Sequence, residues 1–266
     1  MCVFPRLLCL LDSLYSDLRF FEVLLVIFSS LIYSAVSVYV VSGSLFNAVC
    51  VSGVYTPFLF VNGFVAKNPV VGEGVFTGGQ HINEMIVSRF SLNVMNNFLT
   101  LALVFIVSVL GLLYPMFSRL RSQGPLLPFR LSIDPSIIYL SILGLSLISY
   151  SALVSVFLAC FGIVSYAYRF DLFGYTGSLH VLLYIVSLNL LVTVVLYTVY
   201  FLSGRLDLAV ITPSLFITVL SRLNSSYIIG KTGFFIAVFI VASVLIVATI
   251  YLFIRRRVLR CLATGL

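Results

Sequence analysis

The chain has 266 residues, of which 62% are hydrophobic and only 9% are charged. A water-facing surface needs roughly a quarter charged residues, so this composition excludes an ordinary soluble domain and makes the lipid bilayer the main solvent. The formal net charge of +7 does not indicate nucleic-acid binding, because Lys and Arg are scattered among loops and segment ends. The five cysteines form no CxxC pair and show no metal-ligand spacing, so neither a disulfide framework nor a metal site is predicted.

The first predicted element is an amphipathic helix over residues 6–22. Its apolar residues recur at intervals of three and four: Leu7, Leu11, Leu14, Leu18 and Phe21. Charged and hydroxyl side chains occupy the other faces, which is typical of a helix that lies in the membrane interface. The alternative is a frayed tail that leads into the first membrane helix.

Uncharged apolar stretches predict about six membrane-spanning helices. They occupy residues 23–42, 98–117, 136–165, 181–203, 208–229 and 233–254. The fifth contains Pro213, which membrane helices tolerate, and it gains spanning length only by continuing toward Ile229. The predicted fold class is therefore all-α, a polytopic transmembrane helical bundle with residues 1–266 as a single domain.

The segment 43–95 is predicted to be external or partly re-entrant. Its uncharged run continues to Ala66, which leaves an additional span open as the alternative. Three glycines and a proline interrupt that run: Gly43, Gly53, Pro57 and Gly63. Residues of this kind mark irregular backbone and favour the re-entrant interpretation.

Six spans place both termini on one side of the membrane, and the distribution of Lys and Arg predicts that this side is cytoplasmic. Ten of these residues fall on the terminal side and five on the other, and positive charge accumulates in cytoplasmic loops. The run Arg255–Arg257, directly after the last span, is the firmest anchor. We therefore expect a multi-pass protein of the cell membrane.

No motif in the sequence indicates catalysis or a resident cofactor. The two histidines, His81 and His180, form no HExxH pair and are too few to ligate two haems. Gly230-Lys231-Thr232 imitates the end of a phosphate-binding loop, but Ser225 stands where the loop's first glycine belongs. An enzyme is not predicted, and any ATP would be handled by another chain.

Asn189 is the strongly polar side chain in the middle of a predicted span. No carboxylate lies within the six spans, which argues against ion-coupled transport. Asn189 either hydrogen-bonds a neighbouring helix or contacts a translocated substrate, and the first interpretation is the commoner one for such a residue. On the external side, Asn224-Ser225-Ser226 fits a glycosylation acceptor.

The segment between the second and third spans carries a resemblance to a known family. It reads Ser118-Arg119-Leu120-Arg121-Ser122-Gln123-Gly124-Pro125-Leu126-Leu127-Pro128-Phe129-Arg130. It resembles the cytoplasmic coupling loop of type-2 ABC transporter permeases, where a Glu-Arg-x-x-Gly pattern precedes leucines and a proline-bearing stretch. Arg121 and Gly124 match the pattern, and Leu120 replaces the family's glutamate.

The layout is similar to that family in its interfacial N-terminal helix, its six spans and the short turn Ser203-Gly204-Arg205-Leu206-Asp207. The resemblance implies a permease subunit that forms a translocation path, pairs with a second permease copy or homologue, and is driven by separate ATP-binding subunits. Within 118–135 it implies four contacts with those subunits: Arg119, Arg121, Gly124 and Arg130.

A structural membrane subunit of an organellar or bacterial respiratory complex is the competing hypothesis. Such chains are also short, very apolar and poor in charge. The missing haem ligands and missing buried carboxylates weigh against a redox or proton-carrying role. The two hypotheses differ in the partners that should co-purify with the chain.

Overall fold

The computed structural model describes residues 20–51, 76–123, 135–168 and 170–263, and side chains over a narrower part of these ranges. The α-helices described are α1 (Phe20–Val51), α2 (Phe76–Asn96), α3 (Phe98–Gln123), α4 (Pro135–Ala167), α5 (Thr176–Ser203), α6 (Leu206–Ser221), α7 (Ser225–Gly230) and α8 (Thr232–Ala263). A short 3-10 helix, Leu172–Gly174, precedes α5. Because these ranges contain no strand, the all-α prediction is confirmed. Most of the predicted interfacial helix lies outside the described residues.

Four of the described helices are long and apolar enough to cross a membrane: α1, α4, α5 and α8. The pair α2 and α3 makes a fifth if it counts as one span, with a bend of 52° at the break between them. The prediction of about six spans is therefore roughly met. α6 is apolar but has only 16 residues, which is about 24 Å of rise against a hydrocarbon core of about 30 Å.

The predicted span 208–229 is not one continuous helix. α6 ends at Ser221, and Asn224 starts α7 by accepting a hydrogen bond from the Ser226 amide at 3.0 Å. Asn is a preferred N-cap because its side chain satisfies an amide that has no partner inside the new helix. The added length up to Ile229 therefore belongs to a second, short helix.

α5 is the central helix of the bundle. In its most apolar stretch 67% of the residues are buried, against 11% in α8 and 22% in α1. It packs on α2, α3, α4, α6 and α8. Since its buried side chains point in all directions, the outer helices shield α5 from lipid and it has no polar face.

α1 and α4 run in one direction and α3, α5 and α8 in the other, which sorts their termini into two groups. The Tyr139 hydroxyl near the start of α4 lies 3.3 Å from Thr198 Oγ1 near the end of α5. At the opposite end, Tyr184 of α5 packs edge-on against Phe98 at the start of α3 and Phe239 in α8. We call the first group end A: the start of α1, the end of α3, the start of α4, the α5–α6 turn and the end of α8. The opposite termini form end B.

α2 packs on end B of the bundle and is bent by 52° from α3. The Asn93 side-chain amide donates to the Ser44 carbonyl of α1 at 3.3 Å, and Phe90 packs edge-on against Phe161 of α4. The helix therefore rests on the ends of α1 and α4. It is one of two described parts of the segment 43–95 that was predicted to be external or partly re-entrant. The other part, residues 43–51, continues α1, so Gly43 does not interrupt that helix.

The closest approach between α1 and α3 occurs at Gly111. A Cβ added to Gly111 would lie 2.8 Å from Ser29 Cβ and 3.0 Å from a methyl carbon of Leu25. The Ser29 hydroxyl turns back to the Leu25 carbonyl at 2.6 Å, which removes its need for a partner on α3. Small residues at such contacts allow membrane helices to pack backbone to backbone.

We expect Gly111→Val to separate α1 from α3 and to destabilise the bundle by roughly 1–3 kcal/mol, the usual cost of overpacking. Gly144→Val in α4 is the matched control, because no atom lies within 4 Å of a Cβ added there. Thermal unfolding of the detergent-solubilised protein measures both. Equal melting temperatures for the two variants would contradict the close packing at Gly111.

Candidate functional site

The loop predicted to contact a partner begins at the end of α3. α3 continues to Gln123, so the backbones of Arg119 and Arg121 belong to its last turns. Gly124 and Arg130 lie outside the described residues. Because α3 ends and α4 begins at end A, both ends of the loop are at the same end of the bundle.

Most Lys and Arg positions in the described part of the chain fall at end A. They are Arg119, Arg121, Arg205, Arg255, Arg256, Arg257 and Arg260, against Arg89, Arg222 and Lys231 at end B. α8 has 32 residues, a rise of about 48 Å, so its arginine-bearing last turns extend past a hydrocarbon core of about 30 Å. Because α3, α5 and α8 all end at end A, positive charge gathers there.

The α5–α6 turn at end A is ordered by local hydrogen bonds. Gly204 adopts a left-handed conformation with φ 63°, and its amide donates to the Tyr200 carbonyl at 2.8 Å. Arg205 forms a bidentate pair with Asp207, with Nη2–Oδ2 at 2.5 Å and Nε–Oδ1 at 3.2 Å. Hydrogen bonding from Arg205 holds the pKa of Asp207 below its usual value. Two residues are therefore enough to reverse the chain.

Asn189 lies in the middle of α5 and is almost completely buried. Its side chain faces the Tyr33 hydroxyl of α1, which is also close to Ser37 one turn further along α1. Among the described residues, Tyr33 Oη, Ser37 Oγ and Asn189 Oδ1 have no partner at hydrogen-bond geometry. We call these three side chains the buried polar cluster.

The groups around the buried polar cluster are already engaged. Tyr150 of α4 donates to the Val186 backbone carbonyl at 3.0 Å, and Thr193 donates to the Asn189 backbone carbonyl at 2.9 Å. Ser34 and Cys160 lie 3.7 Å apart, between oxygen and sulfur. The hydrogen-bonding capacity left over around Asn189 therefore belongs to the three members of the cluster, and buried atoms of this kind are expensive in lipid.

Sequence reasoning identified Asn189 but missed Tyr33 and Ser37. Tyr and Ser are common in membrane helices, and neither residue stands out in the stretch 23–42. Their spacing of four, which puts both on one face of a helix, was the available signal. That this face meets Asn189 depends on how α1 packs.

A second polar region is a cavity of about 260 Å³ at end B. Its walls come from α2, the start of α5 and the α7–α8 junction, and they include Glu84, Ser91, Thr176, His180 and Thr232. His180 is one of the two histidines for which the sequence showed no zinc or haem motif. It lies in the first turns of α5 and shares this cavity with Glu84.

Within the described ranges, no group of three or more His, Cys, Asp or Glu residues is arranged to hold a metal ion. The side chains gathered in the buried polar cluster and in the end B cavity are hydroxyls and amides, with one carboxylate and one imidazole. Such groups bind and orient polar solutes by hydrogen bonding.

The chain matches no protein-family model, no curated protein and no solved structure. The resemblance to type-2 ABC permeases therefore depends on the residues of the chain itself, chiefly Arg121 and Gly124. The helices establish a more general conclusion than this resemblance. This chain is an all-helical, multi-pass membrane protein.

We expect Asn189→Leu to leave the bundle at least as stable as the wild type. The change removes a buried carbonyl oxygen that has no partner among the described residues, and such an atom costs roughly 1–3 kcal/mol. Thr193→Val is the control, because it deletes a hydroxyl that already has an acceptor. Thermal unfolding in detergent decides, and a lower melting temperature for Asn189→Leu than for Thr193→Val would show that Asn189 serves packing.

Proposed function

We propose that this chain is the membrane-spanning permease subunit of an ABC-type transporter. It forms a translocation path together with a second permease copy or homologue, and separate ATP-binding subunits at end A drive it. The chain carries out no chemistry of its own. Arg119, Arg121, Gly124 and Arg130 contact the ATP-binding subunits, and Asn189 contributes to the path.

The observation that carries this proposal is the grouping at end A. The two ends of the loop 118–135, the ordered α5–α6 turn and the arginines that end α8 lie at the same end of the bundle. A soluble partner that docks there would contact the end of α3 and the start of α4 at once. Movement of the partner would then be transmitted along long helices that pack on α5.

The buried polar cluster supports the proposal from inside the bundle. Polar side chains in membrane helices are retained for packing or for function. Because three polar atoms of this cluster have no hydrogen-bond partner among the described residues, we infer that they serve a solute. Tyr33 and Ser37 on α1 face Asn189 on the central helix, so a shift of α1 against α5 would open them to a path. The cluster contains no charged group, which fits a pathway without proton coupling.

End A is expected to be cytoplasmic. A Ser203→Cys variant should react only with a membrane-permeant thiol reagent, and a Tyr166→Cys variant at end B should react with an impermeant one, because Tyr166 is 87% exposed. Both are made in a background where the native cysteines are serine. Labelling of Ser203→Cys by the impermeant reagent in intact cells would show that end A is external.

Arg121→Glu should leave membrane insertion intact and weaken co-purification of an ATP-binding partner. Reversing an interface charge replaces attraction with repulsion, while Arg255, Arg256 and Arg257 still fix the orientation. The measurement is affinity purification of the full chain from its native membrane, with ATPase activity of the eluate.

Arg260→Glu is the matched control, since it makes the same charge change at end A outside the loop 118–135. The docking assignment is wrong if Arg121→Glu and Arg260→Glu retain the ATPase equally. Quinone-binding or cytochrome subunits in the wild-type eluate, with no ATPase, would support the respiratory alternative.

A further inference from the structure

The end B cavity lies where several helix ends meet. α2 supplies Glu84 and Ser91, the start of α5 supplies Thr176 and Gly177, and the α7–α8 junction supplies Thr232. Its volume of about 260 Å³ is at the lower limit of small-molecule sites, which are commonly about 300–1,000 Å³. The cavity is therefore matched to a small solute.

The start of α5, whose first amides have no partner within the helix, lines this cavity. The first helical bond runs from the Leu179 amide to the Tyr175 carbonyl at 3.1 Å, so the amides of Thr176, Gly177 and Ser178 precede the regular bonding pattern. Tyr175 is the N-cap, and its side chain makes no capping hydrogen bond. A helix of 28 residues concentrates a partial positive charge at this point, which favours an anionic group.

The corner before α5 holds these amides in place. The Ser178 hydroxyl donates to the carbonyls of Leu172 and Tyr175, the latter at 2.9 Å, and the Ser165 hydroxyl donates to the Phe170 carbonyl at 2.6 Å. The Phe170 and Tyr175 rings stack with centroids 5.6 Å apart. The helix start is thus fixed before any ligand arrives.

Ser91 is a separate indication of a ligand. Its side chain lines the cavity and is 2% exposed, and Ser91 Oγ has no hydrogen-bond partner among the described residues. A Cβ on Gly177 would stand 3.7 Å from Ser91 Oγ, so the hydroxyl lies beside the start of α5. A buried hydroxyl without a partner is costly, and a ligand bound to the α5 amides would satisfy it.

Glu84 determines what kind of ligand fits. Its exposed carboxylate belongs to the same cavity, on α2, and it would repel a simple anion. A solute that carries an ammonium group as well as a carboxylate satisfies both walls, since the carboxylate meets the α5 amides and the ammonium meets Glu84.

We propose that the end B cavity binds a small zwitterion of the amino-acid class, with its carboxylate at the Thr176 and Gly177 amides and the Ser91 hydroxyl, and its ammonium at Glu84. The site does not depend on the permease assignment, because it lies opposite end A and needs no ATP. Under that assignment it is a site for the transported or a regulatory solute on the side opposite the ATP-binding subunits.

The test is binding of neutral L-amino acids to the purified full chain in lipid nanodiscs, by calorimetry and by thermal shift. The amino acid that binds most tightly is then compared with the matched carboxylic acid without the amine and the matched amine without the carboxylate. We expect the zwitterion to bind about tenfold more tightly than either analogue. Failure of every neutral amino acid to bind would overturn the proposal.

Variants separate the two walls of the site. Ser91→Ala should weaken zwitterion binding about tenfold, while Ser155→Ala, an exposed serine of α4, should not change it. Glu84→Gln should weaken the zwitterion but not the carboxylic acid that lacks the amine. Wild-type affinity in both Ser91→Ala and Glu84→Gln would also overturn the proposal. None of these measurements involves an ATPase, so loss of the permease hypothesis leaves them unaffected.

Discussion

The requirement that polar groups be satisfied inside the chain governs this structure. In hydrocarbon no water completes a missing hydrogen bond, so nearly all of the described backbone is helical, apart from short turns such as Gly204–Arg205. The hydroxyl side chains follow the same rule by donating to carbonyls three or four residues earlier on their own helix. Examples are Ser29, Ser146, Thr193, Ser243 and Thr249, with donor–acceptor distances from 2.6 to 3.1 Å. A Ser or Thr hydroxyl bonded in this way needs no hydrogen-bond partner on a neighbouring helix.

Some buried serine hydroxyls are exceptions to this rule. Four buried serines have a hydroxyl with no hydrogen-bond partner among the described residues: Ser37, Ser44, Ser91 and Ser108. Of these, Ser37 lies close to Tyr33 in the buried polar cluster, and Ser91 lines the end B cavity. Composition alone treats all these serines alike, and only their hydrogen bonding separates structural serines from those available to a solute.

Sequence reasoning performed best where a single property decides the outcome. Length and apolarity are enough for a membrane helix, and the stretches 136–165 and 233–254 lie inside α4 and α8. α2 could not be found in this way, because Glu84 and Arg89 give it the composition of a loop, and it is ordered by packing on α1, α5 and α7. The break after Ser221 escaped notice for the opposite reason. Apolar residues continue to Ile229, but the Asn224 cap starts a new helix.

The candidate sites were harder to predict because they form between helices. Asn189 was visible as an amide in an apolar run, whereas Tyr33 becomes its neighbour only through the packing of α1 on α3 and α4, to which the contact between Gly111 and Ser29 contributes. The end B cavity needs three separate chain segments to meet. No single stretch of sequence contains enough of it to show a motif.

The two ends of the bundle differ in backbone as well as in charge. At end A the helices continue without a break to their last turns, and the α5–α6 turn takes two residues. A force applied there therefore acts directly on continuous helices. At end B the α2–α3 pair is bent by 52° and α6 gives way to the short α7. Interrupted helices are tolerated at membrane depth only where they are buried in protein or line a polar cavity, and the cavity between α2, α5 and α7 is such a place. The amides that can hold a charged solute there belong to the start of α5, where the cavity gives them access to a partner that lipid cannot supply.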